Sequence, residues 1–374
     1  MELTNEDSLR LNVLLANKPQ AIRIDESSMT VLGLTPQGEV RVQLNPTGRN
    51  EPYLRKVREL LSGHVLGSPG GYPVYLKRWT RMGQMRDESL EQLLLLGEPE
   101  AVVAAVCAPG ISDELARRAW WAMEDAENGR RLLSSPAVAQ GAMGAVLAAY
   151  LVDYLPFETE PEPMIESVRL VLQPGLLDAA GRAGLWKKAR RKLAYYVGFL
   201  AAIPDELPAE VGPLILPQHQ HEALEALAAD ANPCARQLLR VCGAPGQAYL
   251  DTVQRVLDKP PTQDVVTTTL DLVADYFSPL RPEGRSDQIV EALLAEAEDC
   301  RAGEGAPETG IGACLARCPE LAPRVRAMRV LSGLSYGVVR PVLRDSTAIG
   351  TLMRRKLEPA LAPVRAQLAL LQTQ

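Results

Sequence analysis

Alternation of apolar and polar side chains with a period of two is confined to the first 44 residues of this sequence. A chain with strand periodicity over so short a length can build one small sheet and must fold the remainder as helix. Segments 21–24, 29–34 and 40–44 read as strands, separated by Asp25-Glu26-Ser27-Ser28 and Pro36-Gln37-Gly38. Turns that short predict an antiparallel meander. A helix is expected before it over 4–17, with Leu9, Val13 and Leu14 on one face and Asn17-Lys18-Pro19 as its stop. Another is expected over 53–61, presenting Leu54, Val57, Leu60 and Leu61. Residues 1–86 thus read as a small α+β domain.

From Glu88 onward the strand signal all but vanishes. Helices are expected over 89–96, 100–106, 115–127, 137–155, 322–331 and 363–372, with Pro99, Ser112-Asp113-Glu114 and Ser135-Pro136 as starts. The abundance of Ala and Leu and the 5% aromatic content favour close-packed helices. The fold class is therefore mainly α: the α+β domain, then an irregular helical domain over 87–374. Short helices joined by Gly, Pro and Asp turns fit a HEAT-like array or an irregular bundle. Exposed linkers are expected at 156–163 (PFETEPEP), 259–263, 278–286 and 302–312, the first and last being candidate sub-boundaries. Acids near the N-terminus and the lack of 18 uninterrupted apolar residues argue against a leader or a membrane span. A cytoplasmic location is expected, in which the six cysteines stay reduced.

Charge is unevenly spread. Residues 49–86 carry +6, 87–319 carry −16 and 320–374 carry +6, in a chain of net −6. The ends can dock on the acidic middle, or either end can take an anionic partner. Two basic clusters are candidates for such a contact. One lies in the glycine-rich stretch 63–86, where Gly70-Gly71 reads as a tight loop, 74–76 as a short strand or extended segment, and Lys77, Arg78, Trp79 and Arg81 supply charge and stacking. The other is Lys187, Lys188, Arg190 and Arg191, in a helix expected to continue to Leu200. RNA or an acidic protein would suit them; a buried Trp79 and solvated basic faces are the competing readings.

Reactive groups are few. Cys314 and Cys318 stand at i and i+4, one above the other on a helix face, and Arg317 beside them would favour a thiolate. That makes a thiol pair for sulfur transfer, set against the reading of two small core residues. His219 and His221 read as exposed at a helix start, and His64 as a lone histidine without a nucleophile. The glycines form neither a phosphate-binding loop nor a dinucleotide fingerprint, and the common hydrolase, metalloprotease and kinase signatures do not occur. No cofactor, metal or enzymatic activity is expected.

Three strings carry a family resemblance: SLRLNVLLANKPQAIRIDESSMTVLGL (8–34), HVLGSPGGYPVYLKRWTRMGQM (64–85) and ARRAWWAMEDAENGRRLL (116–133). With them the chain resembles the DsrS family, encoded alongside the reverse dissimilatory sulfite reductase genes of sulfur-oxidising bacteria. The similarity is strong over about the first 135 residues and looser beyond. It implies a cytoplasmic accessory or regulatory protein of sulfur oxidation, with partners among that pathway's proteins, and it carries over no catalytic residue.

Overall fold

The computed structural model describes residues 2–70, 87–299, 309–344 and 348–373. The chain opens with helix α1 (Asn5–Ala16), then strands β1 (Ala21–Asp25), β2 (Thr30–Thr35) and β3 (Gly38–Gln43). The strands pair antiparallel in the order β1-β2-β3, with Ile22 opposite Gly33 and Val31 opposite Val42. Helix α2 (Asn50–Leu66) follows and ends at Gly67, whose φ of 66° is the left-handed cap that glycine adopts without strain. The sheet buries Ile22, Val31 and Val42 against Leu11, Leu14 and Leu15 of α1 and Tyr53, Leu54, Val57 and Leu61 of α2.

The buried face of α1 differs from the expected one. Leu9 and Val13 are exposed, and Asp7 lies inward with Leu11, Leu14 and Leu15. Asp7 accepts the Asn45 N–H at 2.8 Å and the Tyr53 hydroxyl, so a buried carboxylate joins both helices to the end of β3.

The helical part that follows confirms a mainly α chain: a small three-stranded sheet and then an array of helices. In order these are α3 (Asp87–Leu93), α4 (Pro99–Val106), α5 (Asp113–Ala122), α6 (Ala126–Leu133), α7 (Pro136–Ala139) and α8 (Ala142–Tyr154). Two expected helices are each broken in two. The 115–127 segment stops at Met123, in extended conformation, and restarts where Asp125 accepts the Asn128 N–H. The 137–155 segment breaks at Gly141, where the Asp113 carboxylate accepts the Ala142 and Met143 N–H groups at 3.0 Å each. A Cβ on Gly141 would stand 2.2 Å from that carboxylate, so only glycine fits the approach.

The chain forms two compact units. Unit 1 comprises Met1–Pro156 and Gln173–Leu177. Its sheet is tied to its helices by Ile22 N–H to Leu94 O (2.8 Å), by Arg23 to Trp121 O (3.1 Å) and by the Arg23 guanidinium over the Trp121 ring. Edge contacts of that kind bind residues 1–70 into one core with α3–α8.

Unit 2 comprises Phe157–Leu172 and Asp178–Gln374. It contains α9 (Pro161–Val171), α10 (Ala179–Ala189), α11 (Leu193–Ala202), α12 (Gln218–Ala229), α13 (Pro233–Cys242), α14 (Ala244–Asp258) and α15 (Gln263–Tyr276). Then come α16 (Val290–Asp299), α17 (Ile311–Arg317), α18 (Ala322–Ser332), α19 (Tyr336–Leu343) and α20 (Gly350–Gln372). Helix α20 begins well before the expected 363 and contains Pro359 and Pro363. Each proline lacks an N–H, but Leu357, Leu361, Val364 and Leu368 are buried along the helix and their burial offsets the loss. Four C-terminal arginines of this unit dock on its acids: Arg326 on Glu298, Arg329 on Glu283 and Glu296, Arg340 on Asp287, and Arg365 on Asp258.

Candidate functional site

The basic run 187–192 was expected inside one helix. It instead ends α10, makes a turn and begins α11: Arg190 caps α10, and Lys192, in extended conformation, precedes α11. The chain folds back because Trp186 packs edge-on against Tyr196 and Phe199, at ring separations of 4.6 and 4.9 Å. A continuous helix would carry Trp186 away from both rings.

The fold-back places the turn at the mouth of a groove of about 600 Å³ in unit 2. One wall is the start of α9, with Thr159, Pro161 and Met164; another is Arg190-Arg191-Lys192 with Leu193 and Ala194 of α11. The end of α14 and its link to α15 add Arg255, Lys259, Pro261 and Thr262, and α20 adds Arg354. Tyr196 completes the lining. Gly198 sets how closely the first two walls approach, since a Cβ there would stand 2.5 Å from Val168 Cβ and 2.9 Å from Ile165 O.

Six cations line this groove and, among the described residues, no acid does. Glu158 and Glu160 flank Thr159 without lining it. Arg255 is engaged, donating to the Tyr196 oxygen at 3.3 Å and to Asp251 at 2.8 Å; the Tyr196 contact leads in raising its pKa. Lys192 donates to Glu158 O at 3.1 Å. Arg354 bonds Thr351 Oγ1 at 3.0 Å but has no carboxylate partner among the described residues. Arg190, Arg191 and Lys259 are exposed and likewise have no ion pair among those residues. By contrast Arg182, Arg240, Arg281, Arg285, Arg326, Arg329, Arg340 and Arg365 of the same unit are held by acids. Charge left unpaired in a concavity is held there at a cost in self-repulsion that an anionic ligand removes.

Helix ends reinforce the positive field. Leu193 and Ala194, the first two residues of α11, face the groove, and Lys192 provides no side-chain cap for their amides. Thr262, the N-cap of α15, lines it too, its hydroxyl accepting from Val265 N–H. Both ends direct the positive pole of a helix at the same space.

Of the residues singled out in the sequence, Arg190 and Arg191 belong to this groove, while Lys187 and Lys188 are exposed on α10 and do not line it. Lys77, Arg78, Trp79 and Arg81 lie outside the described residues, as does the extended segment expected over 74–76. Sequence reading missed Lys259 and Arg354, whose signals were a linker motif (KPPTQ) and the Arg354-Arg355-Lys356 run of the basic C-terminal segment.

The expected thiol pair is arranged differently. Cys318 lies past the end of α17, and both Cys314 and Cys318 are 1% exposed. Burial pushes the Cys318 thiol up, Cys314 and Glu320 add to it, and Arg317 opposes it only in part. The sulfur partner of Cys314 is Cys234 of α13, whose thiol is held up by its hydrogen bond to Cys314 and by burial. Cys107, which the sequence reading passed over, is exposed beside Arg131 at 3.3 Å, in a second groove of about 660 Å³ in unit 1. His64, His219 and His221 are exposed on helices, His221 pairing with Glu225. Among the described residues no cluster of three or more His, Cys, Asp or Glu is arranged to hold a metal, and no helix is long and apolar enough to cross a membrane. Comparison with known proteins finds no matching family model, no matching curated protein and no matching solved structure.

Proposed function

We propose that this protein is a non-enzymatic, cytoplasmic accessory or regulatory protein of sulfur oxidation, acting in the dissimilatory sulfite reductase system by holding an anionic partner in the basic groove of unit 2. The observation that carries the binding half is a groove lined by Arg190, Arg191, Lys259 and Arg354, which have no ion pair among the described residues, with no acid among its described lining. The pathway half rests on the strings at 8–34, 64–85 and 116–133 that resemble the DsrS family. Cations spared from internal pairing cost folding stability and return it only on binding, which is the economy of a recognition surface. The runner-up reading is a post-transcriptional regulator that binds RNA, favoured by the same cations.

The experiment is deletion in sulfur-oxidising cells, with amounts of the pathway enzymes as the readout. Deletion is expected to lower those amounts, while single replacement of His64, His219, His221, Cys314 or Cys318 leaves sulfur oxidation near wild type. Cys318→Ser alone abolishing sulfur oxidation, with enzyme amounts normal, would replace this reading with sulfur transfer.

A further inference from the structure

We infer that the groove takes a small molecule carrying two or more clustered phosphate groups, of nucleotide size, and not a polynucleotide strand. The inference rests on the groove being the site of the anionic partner, and it names that partner's chemistry.

Size comes first. A concavity of about 600 Å³ has the volume of sites that take one small ligand, roughly 300–1,000 Å³. The charges also come from separate segments. Arg190 and Arg191 line the groove from the α10–α11 turn, Lys259 from the end of α14 and Arg354 from α20, four cations with no ion pair among the described residues. A single phosphate can be satisfied by two such groups through charge-assisted bonds; four or more suit a diphosphate or longer. The Leu193 and Ala194 amides at the start of α11, with no side-chain cap, add the backbone donors that phosphate oxygens take at helix ends.

The lining argues against a strand. Single-stranded nucleic acid is held by stacking its bases on exposed aromatic faces. Tyr196 is the one aromatic residue of the lining, and it is 0% exposed, under Arg255 and packed on Trp186. Met164, Leu193 and Pro261 form the apolar remainder, enough to cover the uncharged part of one ligand.

The test is calorimetric titration of the full chain with inorganic tripolyphosphate, with ATP and with a short oligouridylate, at low and high salt. Tripolyphosphate and ATP are expected to compete for one site, more weakly at high salt. Lys259→Glu with Arg354→Glu breaks no ion pair and should weaken both by about tenfold or more. Arg190→Ala with Arg191→Ala should give a loss of the same kind and covers the case in which the charge reversal impairs folding, which circular dichroism would show. Lys187→Glu with Lys188→Glu, outside the groove, should change binding by less than about threefold, as screened surface charge does. Oligouridylate binding that tripolyphosphate does not displace, or no binding of either phosphate probe to folded wild type, overturns the inference. Failure of the groove reading itself would show separately, as groove variants that support sulfur oxidation like wild type.

Discussion

At the scale of single residues, burial decides what the thiols can do. A cysteine acts as a nucleophile through its thiolate, and a thiolate needs water or a cation to hold its charge. Cys234, Cys242, Cys314 and Cys318 are all buried away from water: burial raises the thiols of Cys242 and Cys318, and the hydrogen bond between Cys234 and Cys314 raises Cys234 and lowers Cys314. Cys107 is the exposed cysteine among the described residues, with the Arg131 guanidinium beside it. Iodoacetamide under native conditions is therefore expected to alkylate Cys107 well before those four, which should react only on unfolding. Mass spectrometry of the labelled peptides reads the order directly. Labelling of Cys318 as fast as Cys107 would contradict the buried arrangement and revive the thiol reading. The sequence could not settle this, because the spacing of Cys314 and Cys318 is the same whether the face they share is exposed or buried.

At the scale of elements, the groove depends on how closely α9 and α11 approach. Gly198 permits that approach, and Gly198→Ala would force Val168 and the Ile165 carbonyl to move. Overpacking of this kind typically costs about 1–3 kcal/mol, and chemical denaturation should show it. Gly184→Ala is the matched control, exposed on α10 with open space around it; it should stay within about 0.5 kcal/mol of wild type or gain up to about 1 kcal/mol from helix propensity. Equal losses in the two variants would mean that α9 and α11 are not so tightly packed. The elements themselves were legible where the code is local. Period two marked the three strands, and Ser112 and Pro99 marked helix starts. The helix breaks at Met123, Gly141 and Arg190–Lys192 were not legible, because both flanks of each break favour helix. Asp125 caps the restart after Met123 locally, while tertiary contacts break the second and third, the Asp113 carboxylate reaching Ala142 and Trp186 meeting Tyr196 and Phe199. The proline-containing α20 fails the local rule for the same reason.

At the scale of the whole molecule, an acidic chain keeps a basic groove. In the +6 C-terminal segment Arg326, Arg329, Arg340 and Arg365 pair with acids of unit 2, whereas Arg354, in the groove, has no carboxylate partner among the described residues. Arg190 and Arg191 were visible in the sequence as a basic cluster, whereas Lys259 and Arg354 join them only through packing of α14 and α20, which no local pattern encodes. A groove assembled from distant segments is a property of the fold, and its function has to be read in the intact protein. The most direct measurement uses sulfur-oxidising cells whose only copy of this protein carries Lys259→Glu and Arg354→Glu. The variant is expected to accumulate to the wild-type level while the amounts of pathway enzymes fall as far as deletion is expected to lower them. Normal enzyme amounts and normal sulfur oxidation, with the groove charge reversed and the protein folded, would contradict a role for the groove.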